Sequence, residues 1–269
     1  MTSPKVSIVF PCYNEAGRLP RTLRRYLAHF PRDPGVVEVI VVDDGSTDAT
    51  SAAALEAAGG DPRVRVLRTA PNHGKGFAVR SGILAAGGER VLFTDADGSY
   101  DPTQAERVLA ALERAPVAIG ARAWGLESEA PAATSGLARI GRAVARRFGT
   151  APLLRRLASP LFNQALRLAL GLPYRDTQCG LKGFRRQAAR EIFGRARLDG
   201  FAFDAEALLL ANRLGFEVVE VPVLATDSDG SKVRLAADAL RMLADVWRVR
   251  RAAARGAYDE ARVREDLAG

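Results

Sequence analysis

Two carboxylates one residue apart, Asp95 and Asp97, close the apolar run Val91-Leu92-Phe93 in the stretch VLFTDADGSYD. A buried strand that ends in closely spaced acids brings negative charge to the carboxyl edge of a sheet, where open α/β sheets bind ligands. Hard oxygen donors of this kind suit Mg2+ or Mn2+, ions that commonly arrive with phosphates attached. Asp97 and Asp101 would equally serve to cap the next helix and make its turn. An Asp-x-Asp pair alone decides neither.

Three other polar clusters follow apolar runs in the same way. Tyr13-Asn14-Glu15 follows KVSIVF, Asp43-Asp44 follows the β-branched run Val36–Val42, and Asn72-His73-Gly74-Lys75 follows Val64–Leu67. Four such loops on one sheet edge make a site, whereas random surface polarity would scatter over both edges. The ligand this implies is of nucleotide type. PNHGKGFA, residues 71–78, lacks the GxxxxGK[ST] phosphate-loop signature. Gly74 and Gly76 nevertheless open a helix whose N-terminus would attract an anion, and Lys75 could reach a diphosphate. A glycine-rich turn with one solvated lysine is an equal alternative. His73 fits packing or hydrogen bonding better than base chemistry, and neither His29 nor His73 has the neighbours a zinc enzyme needs.

The elements that must position these residues are legible from periodicity. Strands are expected at Lys5–Phe10, stopping at Pro11, and at Val36–Val42, Val64–Leu67, Val91–Thr94, Val117–Ala121 and Glu217–Val223, the last ended by Pro222. Between the first four lie helices at Glu15–Phe30, Asp48–Ala58 (capped by Ser46-Thr47) and Gly76–Ala86. This alternation predicts an α/β domain with a mostly parallel sheet and helices on both faces.

The second half is less regular. Trp124–Gly136 has the composition of a mobile loop, of a length common in lids. Leu137–Phe148 and Leu153–Leu170 are arginine-rich amphipathic segments, suited to a membrane surface or to an ordinary solvated helix face. YRDTQCGLKGF, residues 174–184, shows no clear period and mixes Asp176, Gln178 and Lys182 with glycines, as a functional loop does. Helices follow at Gln187–Phe193 and Phe203–Leu214, the latter with Asp204 and Glu206 at its start, where capping and a site role are equally open. Asp229-Gly230-Ser231-Lys232 leads into a basic helix at about Val233–Arg251, and residues beyond Arg255 form a polar, frayed tail.

The chain has 269 residues, 48% of them hydrophobic, enough for one large domain. Cys12 and Cys179 lie far apart without CxxC spacing, which suggests neither a disulfide framework nor a zinc site and fits a reducing compartment. No signal peptide and no run of the roughly 18 apolar residues that a membrane span needs is evident, so a cytoplasmic or membrane-surface location is expected. A net charge of +8 calls for an anionic partner. Nucleic acid is disfavoured, because no helix-turn-helix, zinc or RNP-like pattern is present.

Taken in order, VSIVFPCYNEAGRL, VIVVDDGSTDAT, NHGKGFAVRSGI, VLFTDADGSYDP, RDTQCGLKGF, FAFDAEALLLA and DGSKV resemble family 2 glycosyltransferases of GT-A type. More narrowly, the set looks like the dolichyl- or polyprenyl-phosphate β-glucosyltransferases, with DTQCG, FAFDAE and GSK favouring the glucosyl over the mannosyl branch. The resemblance runs from about residue 5 to 250. The stretch between Arg122 and Arg155 is longer than in that branch, and no membrane anchor like that of its eukaryotic members is expected. It implies one GT-A domain over residues 1–255, with a nucleotide-binding half to about 122, an acceptor-binding half beyond it, and the tail at 256–269.

By motif, the resemblance places Pro11, Tyr13, Asn14, Glu15, Asp43 and Asp44 on the uridine and Lys75 by the base or diphosphate. Asp95, Ala96 and Asp97 form the metal motif, with Asp97 the direct ligand and Ser99 a second one. Arg122, Arg155 and Lys232, with Ser231 beside it, are cations for the donor diphosphate and acceptor phosphate, and Asp176 and Gln178 belong to the substrate loop. Asp97 and Lys232 are the expected catalytic residues. The implied reaction is inverting, metal-dependent transfer from UDP-glucose to a polyprenyl phosphate at an anionic membrane face. Such an acceptor oxygen is already anionic, since a phosphate's second pKa is about 6, and needs no general base. A hydroxyl acceptor would need one, with Asp176, Asp204 and Glu206 as candidates. GDP-mannose as donor, a nucleotidyltransferase and a non-catalytic nucleotide-sugar binder are the other readings.

Overall fold

The structure is a computed structural model that describes residues 4–33, 35–122, 164, 167, 169–226 and 235–259, the last range as helix backbone alone up to 244. Its strands are β1 (Val6–Cys12), β2 (Val37–Asp44), β3 (Val64–Thr69), β4 (Arg90–Thr94), β5 (Val117–Arg122), β6 (Leu181–Arg185) and β7 (Val218–Val223). Its helices are α1 (Leu19–His29), α2 (Thr50–Ala58), α3 (Lys75–Ala85), α4 (Pro102–Ala111), α5 (Arg186–Arg195), α6 (Phe203–Arg213) and α7 (Leu235–Ala254).

The seven strands form one sheet in the order β3-β2-β1-β4-β6-β5-β7. All run parallel except β6, which is antiparallel to both β4 and β5. Strand order reverses between β1 and β4, so their carboxyl ends open the crevice in which such sheets hold ligands. Apolar residues alternate between two buried layers, as the two-residue period of a strand requires. Val9, Ile40, Phe93, Ile119 and Phe184 face α3, α5, α6 and α7. Ile8, Phe10, Val39, Val41, Leu92 and Leu181 face α1, α2 and α4.

Four expectations change. Strand β1 runs through Pro11 to Cys12, and β7 runs through Pro222. Pro11 pairs only with β2, because pairing with β4 ends at Val9, and β7 is an edge strand, so neither missing N–H breaks a ladder. Residues 181–184, read as part of a loop, belong to β6, which runs on to Arg185. The pattern was masked because Lys182 occupies the inward row of Phe93, Ile119 and Phe184, where alternation calls for an apolar residue. Ser46 and Thr47 do not cap α2. Asp48 Oδ1 accepts from the Thr50 amide instead, at 3.0 Å, while Asp101 caps α4 through Thr103 as expected. Residues 256–259 are not frayed, since Tyr258 is buried.

The expected lid at 124–136 and the basic segment at 137–148 lie outside the described residues, as does nearly all of the segment at 153–170. No helix among the described residues is long and apolar enough to cross a membrane.

Candidate active site at the carboxyl edge of the sheet

The first three loops are bound to one another. Asn14 adopts the left-handed region at φ 55, and its side-chain oxygen accepts from the Thr47 amide at 2.8 Å and the Asp48 amide at 3.3 Å. The Asn14 amide donates back to Ser46 Oγ at 2.9 Å, and the Glu15 amide to Thr50 Oγ1 at 2.8 Å. The β1–α1 loop is thereby fixed to the β2–α2 loop, with Tyr13 left exposed and Glu15 held by Arg18 Nε at 2.7 Å. Asp44 performs the same service towards the third loop. It accepts from Thr69 Oγ1 at 2.9 Å, Asn72 Nδ2 at 2.9 Å, and the amides of His73 at 3.0 Å and Gly74 at 2.7 Å. Asp43 accepts from the Ser46 amide at 2.9 Å and from the Ser51 hydroxyl. His73 stacks on Phe77 at 4.2 Å, a packing role.

The α3 N-terminus is not an open phosphate cradle. The amides of Gly76 and Phe77 donate to the Asp199 carbonyl at 2.7 and 3.3 Å. Gly74 has φ +121, and a Cβ there would lie 2.4 Å from the Asp199 oxygen, so the close approach itself requires glycine. What α3 contributes is Lys75, whose Nζ lies 2.6 Å from Asp95 Oδ1. Burial disfavours the ammonium, but Asp95 and then Asp204 outweigh it and raise the Lys75 pKa.

Asp95 and Asp97 leave β4 on either side of buried Ala96. The Asp95 amide donates to the Gly180 carbonyl at 3.1 Å, and a Cβ on Gly180 would lie 2.0 Å from Asp95 Oδ2. Asp97 Oδ1 accepts from the Ser99 amide at 2.9 Å, and the Ser99 carbonyl accepts from the Thr226 amide at 2.9 Å. Among the described residues no group of three or more His, Cys, Asp or Glu is placed to hold a metal ion. Two carboxylates beside a cation-lined crevice do fit Mg2+ or Mn2+, which take one or two protein carboxylates and complete their shell with phosphate oxygens and water.

Across the crevice, Arg122 and Asp176 form a two-pronged ion pair, Nε to Oδ2 at 2.7 Å and Nη2 to Oδ1 at 3.0 Å, reinforced by the Arg122 amide at 3.1 Å. Burial would push the Asp176 carboxyl up, but Arg122 prevails and holds it below its usual value. The Gln178 amide donates to Asp176 Oδ1 at 3.2 Å, and its side-chain nitrogen is buried without a hydrogen-bond partner. Lys182 Nζ donates to Asp204 Oδ1 and to the Cys179 carbonyl, both at 2.6 Å, so the buried charge is compensated. Burial still raises the Asp204 pKa against the pull of Lys182 and Lys75. Glu206 accepts from the Arg197 amide at 3.0 Å, the Leu198 amide at 2.9 Å and the Tyr258 hydroxyl at 2.7 Å, and burial raises it too. Neither acid caps α6.

The structure thus brings Tyr13, Glu15, Asp43, Asp44, Lys75, Asp95, Asp97, Arg122, Asp176 and Gln178 to one sheet edge. Arg155, Ser231 and Lys232 lie outside the described residues. Sequence reasoning missed the roles of Arg18, Gly180 and the Lys182–Asp204 pair. A charge within a five-residue strand and an acid 22 positions on were the available signal for the last.

The glycosyl transferase family 2 pattern matches residues 7–193. A dolichyl-phosphate beta-glucosyltransferase of Drosophila melanogaster is 38% identical, over 86% of this chain and 70% of that protein. Proteins of the same name from Saccharomyces cerevisiae and Homo sapiens are 32% and 35% identical, over 94% and 85% of this chain and 76% and 69% of theirs. Among solved structures, glucosyl-3-phosphoglycerate synthase from Mycobacterium tuberculosis, in complex with Mg2+ and uridine diphosphate, superposes with a TM-score of 0.61 at 20% identity, covering 91% of this chain and 79% of that one. The same enzyme with phosphoglyceric acid gives 0.62. The fold is therefore GT-A.

Proposed function

The chain belongs to glycosyl transferase family 2, and on that footing we propose that it transfers glucose from UDP-glucose, with inversion, to a dolichyl or other polyprenyl phosphate. The observation that carries the acceptor is the state of the three carboxylates available as a general base. Asp176 is paired with Arg122, Asp204 with Lys182, and Glu206 is held by two amides and Tyr258. All three are buried. A hydroxyl nucleophile would need a base to take its proton, and among the described residues these three candidates are already engaged. A phosphate oxygen carries its own negative charge and needs none. The names of the relatives agree with this acceptor and with glucose.

In this reading Pro11, Tyr13 and Glu15 pack around the uridine. Asp43, which has fewer internal donors than Asp44, accepts the uracil N3–H, while Asp44 shapes the pocket by holding residues 69–74. Mg2+ or Mn2+ bound at Asp95 and Asp97, with Ser99 beside them, would supply Lewis-acid stabilisation of the leaving diphosphate. Lys75 brings a fixed positive charge to the same place, and Arg122 faces it from β5. Gln178 offers its unmatched amide nitrogen to a sugar hydroxyl. Arg155, Ser231 and Lys232 complete the phosphate contacts. Positive charge develops at the anomeric carbon as the diphosphate leaves, as in glycoside hydrolysis, and the acceptor phosphate oxygen attacks from the opposite face.

The outer face of α7 supports docking on an anionic leaflet at the cytoplasmic side. Trp247 is exposed, Arg251 lies 5.2 Å over its ring, and Arg248 and Arg250 are exposed alongside. Incubation with UDP-glucose, Mn2+ and a polyprenyl phosphate, followed by extraction of the lipid, tests the proposal: a glucosyl lipid is expected. UDP-glucose turnover without a lipid product contradicts it.

A further inference from the structure

The C-terminal turn is tied to the first turn of α3. Helix α7 ends at Ala254, and in the turn after it Gly256, with φ of +70, lets the Ala257 amide close back on the Ala252 carbonyl at 3.0 Å. That reversal points Tyr258 into the core, where its hydroxyl donates to Glu206 Oε1 at 2.7 Å. Glu206 in turn receives the amides of Arg197 and Leu198, and the Arg197 guanidinium returns to the Ala257 carbonyl. The next residue, Asp199, is the acceptor for the Gly76 and Phe77 amides, and its carboxylate receives Arg80 Nη2 at 2.6 Å. Lys75 immediately precedes those two amides and reaches Asp95 at 2.6 Å.

We infer that Tyr258 and Glu206 are positioning residues for Lys75, acting through residues 197–199. The backbone leaves no slack in this path. Besides the Gly74 contact, a Cβ on Gly76 would lie 2.5 Å from the Leu198 oxygen, so the two segments are in direct backbone contact. A first turn of α3 whose amides are capped by another segment's carbonyl moves when that segment moves. The C-terminal helix, which carries the exposed Trp247 and its arginines, is thereby connected to the charge that faces Asp95. The statement about donor binding rests on the function proposed above, and the statement about the tie does not.

Two variants separate these. Tyr258→Phe keeps the buried ring and removes only the hydroxyl, and Glu206→Gln leaves one acceptor oxygen where two amides need one each. Loss of a hydrogen bond to a buried carboxylate predicts a rise in amide exchange at Gly76 and Phe77 of roughly fivefold for Tyr258→Phe, and about tenfold or more for Glu206→Gln. Amides of Ile8 and Val9 in β1 should be unchanged. Affinity for UDP with Mn2+ should weaken by about threefold or more in both. Unchanged exchange at Gly76 and Phe77, or an equal rise in β1, overturns the tie. Raised local exchange with unaltered UDP affinity overturns the positioning of Lys75. If the wild-type chain binds no UDP, the donor reading fails, while the exchange data still decide the tie.

Discussion

Lys75 Nζ stands 2.6 Å from Asp95 Oδ1, so the first acid of the Asp-x-Asp motif already has a cation partner from the helix that follows β3. In the proposed reaction this ammonium faces the diphosphate on which charge develops. Replacing Lys75 by Met should lower kcat/KM for UDP-glucose by about 10²–10³-fold, the range seen when one preorganised electrostatic contact is removed. Steady-state kinetics at fixed acceptor measure this, and a loss below threefold would remove Lys75 from the site.

Gly180 forms the other wall of Asp95. A Cβ there would lie 2.0 Å from the carboxylate, and neither backbone can retreat, because the Asp95 amide is bonded to the Gly180 carbonyl. Gly180→Ala should displace the Asp95 side chain, costing about 1–3 kcal/mol of stability and most of the activity. Mn2+ titration monitored by electron paramagnetic resonance should show weakened binding in a chain that still melts cooperatively.

Lys182 and Asp204 are both buried, and each is the other's principal partner. Removing one leaves an uncompensated charge in an apolar layer, at a cost of about 3–5 kcal/mol. Lys182→Met and Asp204→Leu should each fall in that range by urea unfolding. The double variant should lose distinctly less than their sum, and strict additivity would mean that the pair does not interact.

How much of this was legible in sequence follows from distance along the chain. Strands β1 to β5 and β7, and most of the helices between them, follow from local periodicity, and the acids at their ends declared the sheet edge. Arg122 and Asp176 were each singled out, but nothing local says that residues 54 positions apart share two hydrogen bonds. Strand β6 was hidden by Lys182, because a buried charge looks solvated until its partner is known. Tyr258 was taken for tail, since a single aromatic among polar residues has no period. The glycine-rich start of α3 was left open between a phosphate cradle and a plain turn, because a carbonyl from residue 199 can only be seen in three dimensions.

The Arg122–Asp176 pair sets a pH dependence. Arg122 holds the folded pKa of Asp176 below its ordinary value of 3.8, so the native chain releases this proton more readily than the unfolded one. The pair's contribution to stability is therefore fully present above roughly pH 5 and is lost as pH falls through the lowered folded value. Thermal melts of wild type and Asp176→Asn should differ by a constant amount between pH 5 and pH 7, as ordinary carboxylate pKa values of about 4 require, and converge in acid. A difference that grows on acidification would reverse the assignment.

The most direct measurement compares two acceptors that differ only in the phosphate. With UDP-glucose and Mn2+, initial rates of glucosyl-lipid formation are measured for a polyprenyl phosphate and for the corresponding polyprenol. Since Asp176, Asp204 and Glu206 are each held by an internal partner, turnover is expected with the phosphate and none with the alcohol. Comparable rates with the alcohol would mean that a base operates in this site, and would contradict the account.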